Sequence, residues 1–332
     1  MKSYSNIRAG IRPPRKQLSK MRTLVIGCGD VGLRLLTQKA ARHRIIATCR
    51  RPEQATAIRE LGAIPLTGDL TDPRFQKRLT RLAASRVAYL APPAPEGKND
   101  KVSLRLSLQL NARGLTHQKP SVASLTRPST PSGLRVCYVS TTGVYGDNQG
   151  QWIDETRTAK PKNPRAIRRV HAENCWRGKN AHQSHLASFK SVGILRAPGI
   201  YALERLPLER LRSGTPAIMA SEDSWSNHIH ADDLARLAWR SLFMKHGRRV
   251  FNAVDDEPTK MGDYFDTVAD HFGLQRPERK PRQEVRSLVS PMMWSFMNES
   301  RRIRNQRLKE LKIRLNFPSV SAFLSQQGEP HS

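Results

Sequence analysis

Three glycines, Gly27, Gly29 and Gly32, directly follow an apolar run at residues 23–26, and Val31, Leu35 and Leu36 follow at helical spacing. Residue type and spacing together suit one task, the holding of a phosphate. Glycine lets a strand turn tightly and lets the backbone approach a pyrophosphate, while the helix N–H groups of Asp30 and Val31 face the anion. Twenty-three residues after Gly27, the next apolar run ends at Cys49-Arg50-Arg51. A carboxylate there would accept from a ribose 2′-hydroxyl; guanidinium groups suit a 2′-phosphate through paired, charge-assisted hydrogen bonds. The pattern implies a dinucleotide site, with NADP preferred over NAD. Asp69 and Leu70, after a third run, and Ala91 and Pro92, after a fourth, are expected at the same edge. Asp69 would accept from the adenine amine.

Such residues need strands to hold them. Strand-like runs at 23–26, 45–49, 63–66, 86–91, 134–140 and 192–196 alternate with helical patterns at 54–61, 74–84 and 101–110. Residues 111–133, rich in Ser, Thr, Pro and Gly, read as a long loop. Repeated β–α units of this length predict an α/β fold, a Rossmann-like doubly wound parallel sheet with a smaller C-terminal substrate lobe. Helices are expected in the lobe at 203–211, 232–244, 262–272 and 299–311. The expected division is a disordered basic tail at 1–20, a dinucleotide-binding domain at 21–200, a mixed lobe at 201–325 and a short tail at 326–332. Segments at about 226–255 would return to the sheet. Met21 stands just before the first strand and is an alternative start to Met1.

The formal net charge of +29 admits nucleic-acid or anionic-surface binding. No zinc-finger spacing, RNA-binding aromatic motif or helix-turn-helix accompanies it. A small, anionic substrate is therefore the preferred partner, and the oligomeric state is left open. No apolar run approaches the roughly 18 residues of a membrane span, and no signal-peptide core is evident, so a cytoplasmic protein is expected. Cys28, Cys49, Cys137 and Cys175 form no Cys-x-x-Cys motif and read as buried thiols of a reducing compartment. His182 and His185 lack nearby acids, and His228 and His230 alternate on an extended segment, so no metal site is expected.

The segment Ser140-Thr141-Thr142-Gly143-Val144-Tyr145-Gly146-Asp147 resembles the extended short-chain dehydrogenase/reductase family, of the NAD(P)-dependent epimerase/dehydratase type. Leu195 to Tyr201, with Pro198 at its centre, is similar to the family's sixth-strand segment facing the nicotinamide. His228 to Leu234 and Phe251-Asn252-Ala253 match later segments, so the resemblance spans about residues 21–325. It implies that Thr141 orients a substrate oxygen. It also implies a Tyr general acid/base and a Lys four residues later that lowers the phenol's pKa and holds the ribose. On the helix at 164–174, counting back from Glu173 puts Arg169 at the Lys position and Arg165 at the Tyr position. Arginine stays protonated at any usable pH and cannot replace the phenol. The chain thus looks like the atypical members that lack the Tyr/Lys pair. Trp152 to Thr156, Arg165 to Arg169 and Glu299 to Ile303, then Asn305 and Arg307, fit that subgroup.

Other bases are few. Tyr145 and Tyr201 stand near the sheet's carboxyl edge, and Tyr145 joins Thr141 as a catalytic candidate. His171 should point away from Arg169. Asp232-Asp233 is expected to cap a helix. Three readings follow. The first is an NAD(P)-binding epimerase/dehydratase-like oxidoreductase with altered catalysis, in which Arg165 and Arg169 contact a carboxylated or phosphorylated substrate. The second is a non-catalytic NADP(H) sensor or regulatory partner. The third is nucleic-acid or anionic-surface association through the basic segments at 1–20 and 276–314.

Overall fold

The computed structural model describes residues 22–38, 43–94, 96–116, 133–179, 189–245 and 247–328. Its centre is a sheet of seven strands: β1 (Arg22–Ile26), β2 (Arg44–Cys49), β3 (Ile64–Thr67), β4 (Arg86–Tyr89), β5 (Leu134–Thr141), β6 (Phe189–Ala197) and β7 (Gly247–Asn252). Their order is β7-β6-β5-β4-β1-β2-β3, and every pairing is parallel. The direction of winding reverses between β1 and β4, the place where sheets of this kind form a crevice at the strands' carboxyl ends.

The strands are apolar on both faces because both faces are covered. In β1, Leu24 and Ile26 point one way and Val25 the other, by the two-residue period of a strand. Val25 packs with Leu35 and Leu36 of α1 (Asp30–Thr37), Ile58 of α2 (Pro52–Glu60) and residues of a helix at Ala231–Ser241. Leu24 and Ile26 pack with Phe75 and Leu79 of α3 (Pro73–Thr80), Leu106 of α4 (Lys101–Thr116), and Ala172 and Trp176 of α5 (Pro164–Arg177). The Ala231–Ser241 helix is α6. All four cysteines are buried and none is in a disulfide.

A smaller core lies beyond the carboxyl edge. Tyr201, Leu211, Ala217 and Phe323 pack there against Tyr264, Phe265 and Val268 of α7 (Met261–His271). The chain reaches it through a strand at Gly199–Tyr201, which pairs in parallel with His228–His230.

Several local expectations need correction. Residues 203–211 do not form one helix: a 3-10 turn at Leu203–Arg205 is separated from a helix at Leu208–Arg212 by Pro207, which lacks an N–H. The helix expected at 299–311 is replaced by a strand, Arg302–Ile303, and a 3-10 turn, Gln306–Leu311. Backbone partners override its helical pattern. Arg302–Ile303 pairs with Trp152–Ile153, and the Ile303 N–H donates to Asn227 Oδ1 at 2.9 Å. Helix α4 takes six residues from the loop expected at 111–133. The cap of α6 is His230, whose Nδ1 accepts from Asp232 N–H at 3.2 Å, and not the aspartates. The tail at 1–20, Met21, residues 117–132, His182, His185 and residues 329–332 lie outside the described residues.

His228 is buried, with its ring stacked 4.3 Å from that of Tyr264, and burial pushes its pKa down to about 4. An unfolded chain protonates histidine near 6.5, so this side chain favours folding fully above that pH. Its contribution falls as pH drops from about 6.5 toward 4, by about 3 kcal/mol at most. His228→Phe should therefore show a smaller loss of unfolding free energy between pH 7 and pH 4.5 than the parent, measured by urea denaturation. Equal losses would remove His228 as the source.

Candidate functional site

Each glycine of the loop after β1 has its own geometry. Gly27 has φ of +86°, and a Cβ on it would lie 2.6 Å from the Ala91 backbone, so only glycine fits. Its N–H donates to Thr48 Oγ1 at 2.9 Å, and Cys28 N–H donates to Thr48 O at 3.0 Å, which pins the turn to β2. Gly29 precedes α1 at a φ of −85°, and a Cβ there would meet nothing within 4 Å. The space over the turn is thus an open cradle. Gly32 lies close to Gly27 O and Cys28 Sγ, 3.2 Å from where its Cβ would be, letting α1 approach the strand. The N–H groups of the first turn have no partner within a helix and face the cradle.

Asp30 opens α1, and its carboxylate is held aside by Arg34 at 2.7 Å and Arg205 at 2.9 Å. Partial burial opposes ionisation, but these arginines win and hold its pKa below the usual carboxylate range. Arg34 also binds Asp232 at 2.7 Å and Glu204, joining α1 to the second core's entry segments.

Arg50 and Arg51 are exposed just past β2, with no hydrogen-bond or ion-pair partner among the described residues. Asp69 is exposed past β3. Its carboxylate accepts from Thr71 N–H at 2.7 Å and Thr71 Oγ1 at 2.9 Å, which lowers its pKa. Leu70 packs against the α3 side of the sheet, Ala91 lies under Gly27, Pro92 is exposed beside it, and Pro198 is half-buried past β6. All stand at the carboxyl edge.

On α5 the structure separates the two arginines. Arg169 is 7% exposed, and its Nη1 donates to Val139 O at 2.9 Å, Tyr138 Oη at 3.1 Å and Ala91 O at 3.4 Å. It is anchored in the sheet edge by these oxygens. Arg165, one turn earlier, is exposed.

Thr141 is half-buried. Its Oγ1 accepts from Gly143 N–H at 3.2 Å and caps the 3-10 turn Thr142–Tyr145, leaving its hydroxyl hydrogen able to donate. Tyr145 requires correction as an acid/base candidate. It is 1% exposed, its hydroxyl donates to Asn252 Oδ1 at 2.7 Å, and burial raises its pKa. Tyr201 is equally enclosed, donating to Ser319 O at 3.2 Å. His171 accepts from Asp100 N–H at 3.2 Å, on the α4 side of α5.

The sequence reading passed over the role of Glu173. Its buried carboxylate accepts from Ser140 Oγ at 2.6 Å and from Arg196 at 3.1 and 2.7 Å. Arg196 in turn lies 4.6 Å from the Tyr145 ring centre. An arginine within the apolar run of β6, with a lone acid on the preceding helix, was the available signal. Much of the C-terminal basic charge also has internal partners. Arg301 and Arg302 donate to Gly146 O at 2.9 Å and Gly150 O at 2.7 Å, and Arg302 lies between Trp152 and Trp225.

No protein-family profile matches the sequence, and no curated protein matches it. Solved structures do. A functionally unknown conserved protein from Silicibacter pomeroyi DSS is 28% identical, with a TM-score of 0.73 over 94% of this chain and 100% of that one. A proposed NAD-dependent epimerase/dehydratase from Methylobacillus flagellatus is 23% identical, with a TM-score of 0.62 over 92% and 97%. The human epimerase family protein SDR39U1 (isoform 2), solved with NADPH, is 17% identical, with a TM-score of 0.63 over 92% and 98%.

The glycine geometry predicts a contrast. Gly29→Ala should leave thermal unfolding within a few degrees of the parent, because its Cβ meets nothing, yet weaken dinucleotide binding by intruding on the cradle. Gly27→Ala should destabilise the fold itself, since backbone strain and a clash coincide. Melting curves with and without NADPH check both, and equal behaviour of the two variants would contradict the assignment.

Proposed function

We propose that this chain, which has the Rossmann-like fold of epimerase/dehydratase-type short-chain dehydrogenases, binds NADP(H) in the glycine cradle. Its activity is that of an epimerase- or dehydratase-like oxidoreductase acting on a small molecule. The observation that carries the reading is the open space over Gly29, at the N-terminus of α1, with Arg50 and Arg51 exposed past the neighbouring strand and Arg50 near Asp69. Solved structures of the same fold hold NAD or NADPH, which supports a nicotinamide dinucleotide here, while the choice of NADP rests on Arg50 and Arg51. Asp30 and Val31 N–H groups would receive the pyrophosphate, Arg50 and Arg51 the 2′-phosphate, and Asp69 the adenine amine. Ala91, Pro92 and Pro198 would line the path of the nicotinamide half, and Arg169 would present its positive charge below the ribose. A bound nicotinamide would supply or accept a hydride. Thr141 would donate to the substrate oxygen, and with Tyr145 and Tyr201 enclosed, proton exchange would fall to solvent. A second reading, binding without turnover, is favoured by that same enclosure of both phenols.

Titration with NADPH and NADH side by side, followed by nicotinamide fluorescence, tests the reading. NADPH should bind at least about tenfold more tightly, a difference of about 1.4 kcal/mol. Arg50→Asp should abolish the preference. Binding of neither dinucleotide would overturn the proposal. Where hydride transfer to a substrate is detected, Thr141→Ala should slow it by about 10- to 100-fold without altering NADPH affinity. Robust turnover would eliminate the second reading.

A further inference from the structure

We propose that Arg165 and Arg168, on the outer turn of α5, bind an oxyanion of the substrate, a carboxylate or a phosphate. This deepens the reading of the crevice as a substrate site. It does not depend on which dinucleotide fills the cradle.

The topology places the pair. Helix α5 joins parallel strands β5 and β6, so it runs antiparallel to them and its first turn projects beyond their carboxyl ends. Arg169 fixes the helix's rotation through Val139 O and Ala91 O. Arg165 is four residues earlier on that face, one turn further out, and therefore stands over the ends of β4 and β5. Arg168 adjoins it and is held by Gly97 O at 2.8 Å, from the segment after β4.

Arg157, Arg168 and Arg169 each donate to an internal oxygen, but no carboxylate of this segment balances their charge. Between Glu155 and Glu173 there is no acid, but there are six cations: Arg157, Lys160, Lys162, Arg165, Arg168 and Arg169. Cations in the first turn of a helix oppose its macrodipole, which is positive at that end. Asn163 and Pro164 already complete the helix start, so capping does not require Arg165. Arg165 has no hydrogen-bond or ion-pair partner among the described residues. Partial desolvation, then Arg169 and Arg168, depress its pKa, yet guanidinium remains charged. Arg168 is 8% exposed, and its Nε is buried without an acceptor.

The site is distinct from the 2′-phosphate position. Arg50 lies at the end of β2, three strands from β5, or about 14 Å at the usual strand spacing. A guanidinium fork matches the two oxygens of a carboxylate or phosphate.

The test is calorimetric titration of the full chain with inorganic phosphate and, separately, acetate, at constant ionic strength and saturating NADPH. Saturable binding of at least one oxyanion is expected, and the tighter arm identifies the group. Arg165→Gln and Arg168→Gln should each weaken it by at least about tenfold, Arg165→Lys less, and Arg74→Gln on α3 not at all. NADPH fluorescence should be unchanged in every variant. Arg165 is exposed, so Arg165→Gln should also leave the melting temperature unchanged. Should NADPH not bind, the same titration on Arg50→Asp protein reads the α5 site alone. No saturable binding of either oxyanion, or binding unaffected by both Gln variants, would overturn the proposal.

Discussion

A carboxylate enclosed within a protein is tolerated only where other groups replace water. Glu173 meets that condition through Ser140 at the end of β5 and both arms of Arg196 from β6. The Arg196 guanidinium then lies on Tyr145, whose hydroxyl holds Asn252 at the end of β7, and Asn252 Nδ2 donates to Arg304 O at 2.9 Å. One buried polar chain thereby ties α5 and three strand ends to the C-terminal segment. Breaking a buried pair by deleting one partner costs about 3–5 kcal/mol, more than most single contacts. With the Arg169 contacts to Val139 O and Ala91 O, this pair holds α5 at the sheet's carboxyl edge, and with it the arginines of its first turns.

That constraint bears on chemistry. The network uses Tyr145 as a packed donor, and Arg169 grips two carbonyl oxygens and the buried Tyr138 hydroxyl, so these phenols are enclosed while the edge carries positive charge. On the other side of the sheet edge, Arg34 and Arg205 join α1 to the start of α6 and to the turn Leu203–Arg205 that leads into the second core. These links hold Asp30 away from the cradle, where its charge would repel a pyrophosphate. In the proposed reading the two halves would serve different ends: the β1–β4 side, open over Gly29, would take the dinucleotide, and the β5–β6 side, with Arg165 and Arg168, the substrate's anionic group.

Much of the fold was legible in the sequence because parallel strands covered on both faces appear as short, uninterrupted apolar runs. The glycine loop was readable because each glycine answers a local steric demand, such as the approach of Ala91 to Gly27. What failed was local pattern overridden by distant partners. Residues 299–311 carry helical spacing, yet Asn227 and Trp152 draw Arg302 and Ile303 into extended backbone. Tyr145 read as a base because its motif ends at the crevice, but nothing nearby in sequence reveals that Asn252, more than a hundred residues away, encloses its hydroxyl. The partners of Glu173 lie 33 residues before and 23 after it, so only the arginine inside an apolar run, Arg196, hinted at its role.

The most direct test of the account is a crystal structure of the full chain grown with NADPH. The account predicts the pyrophosphate against the Asp30 and Val31 N–H groups, the 2′-phosphate between Arg50 and Arg51, and Tyr145 still bonded to Asn252 beneath the nicotinamide end. A dinucleotide bound elsewhere, an empty glycine cradle, or a Tyr145 hydroxyl turned out to meet the nicotinamide ribose would contradict it.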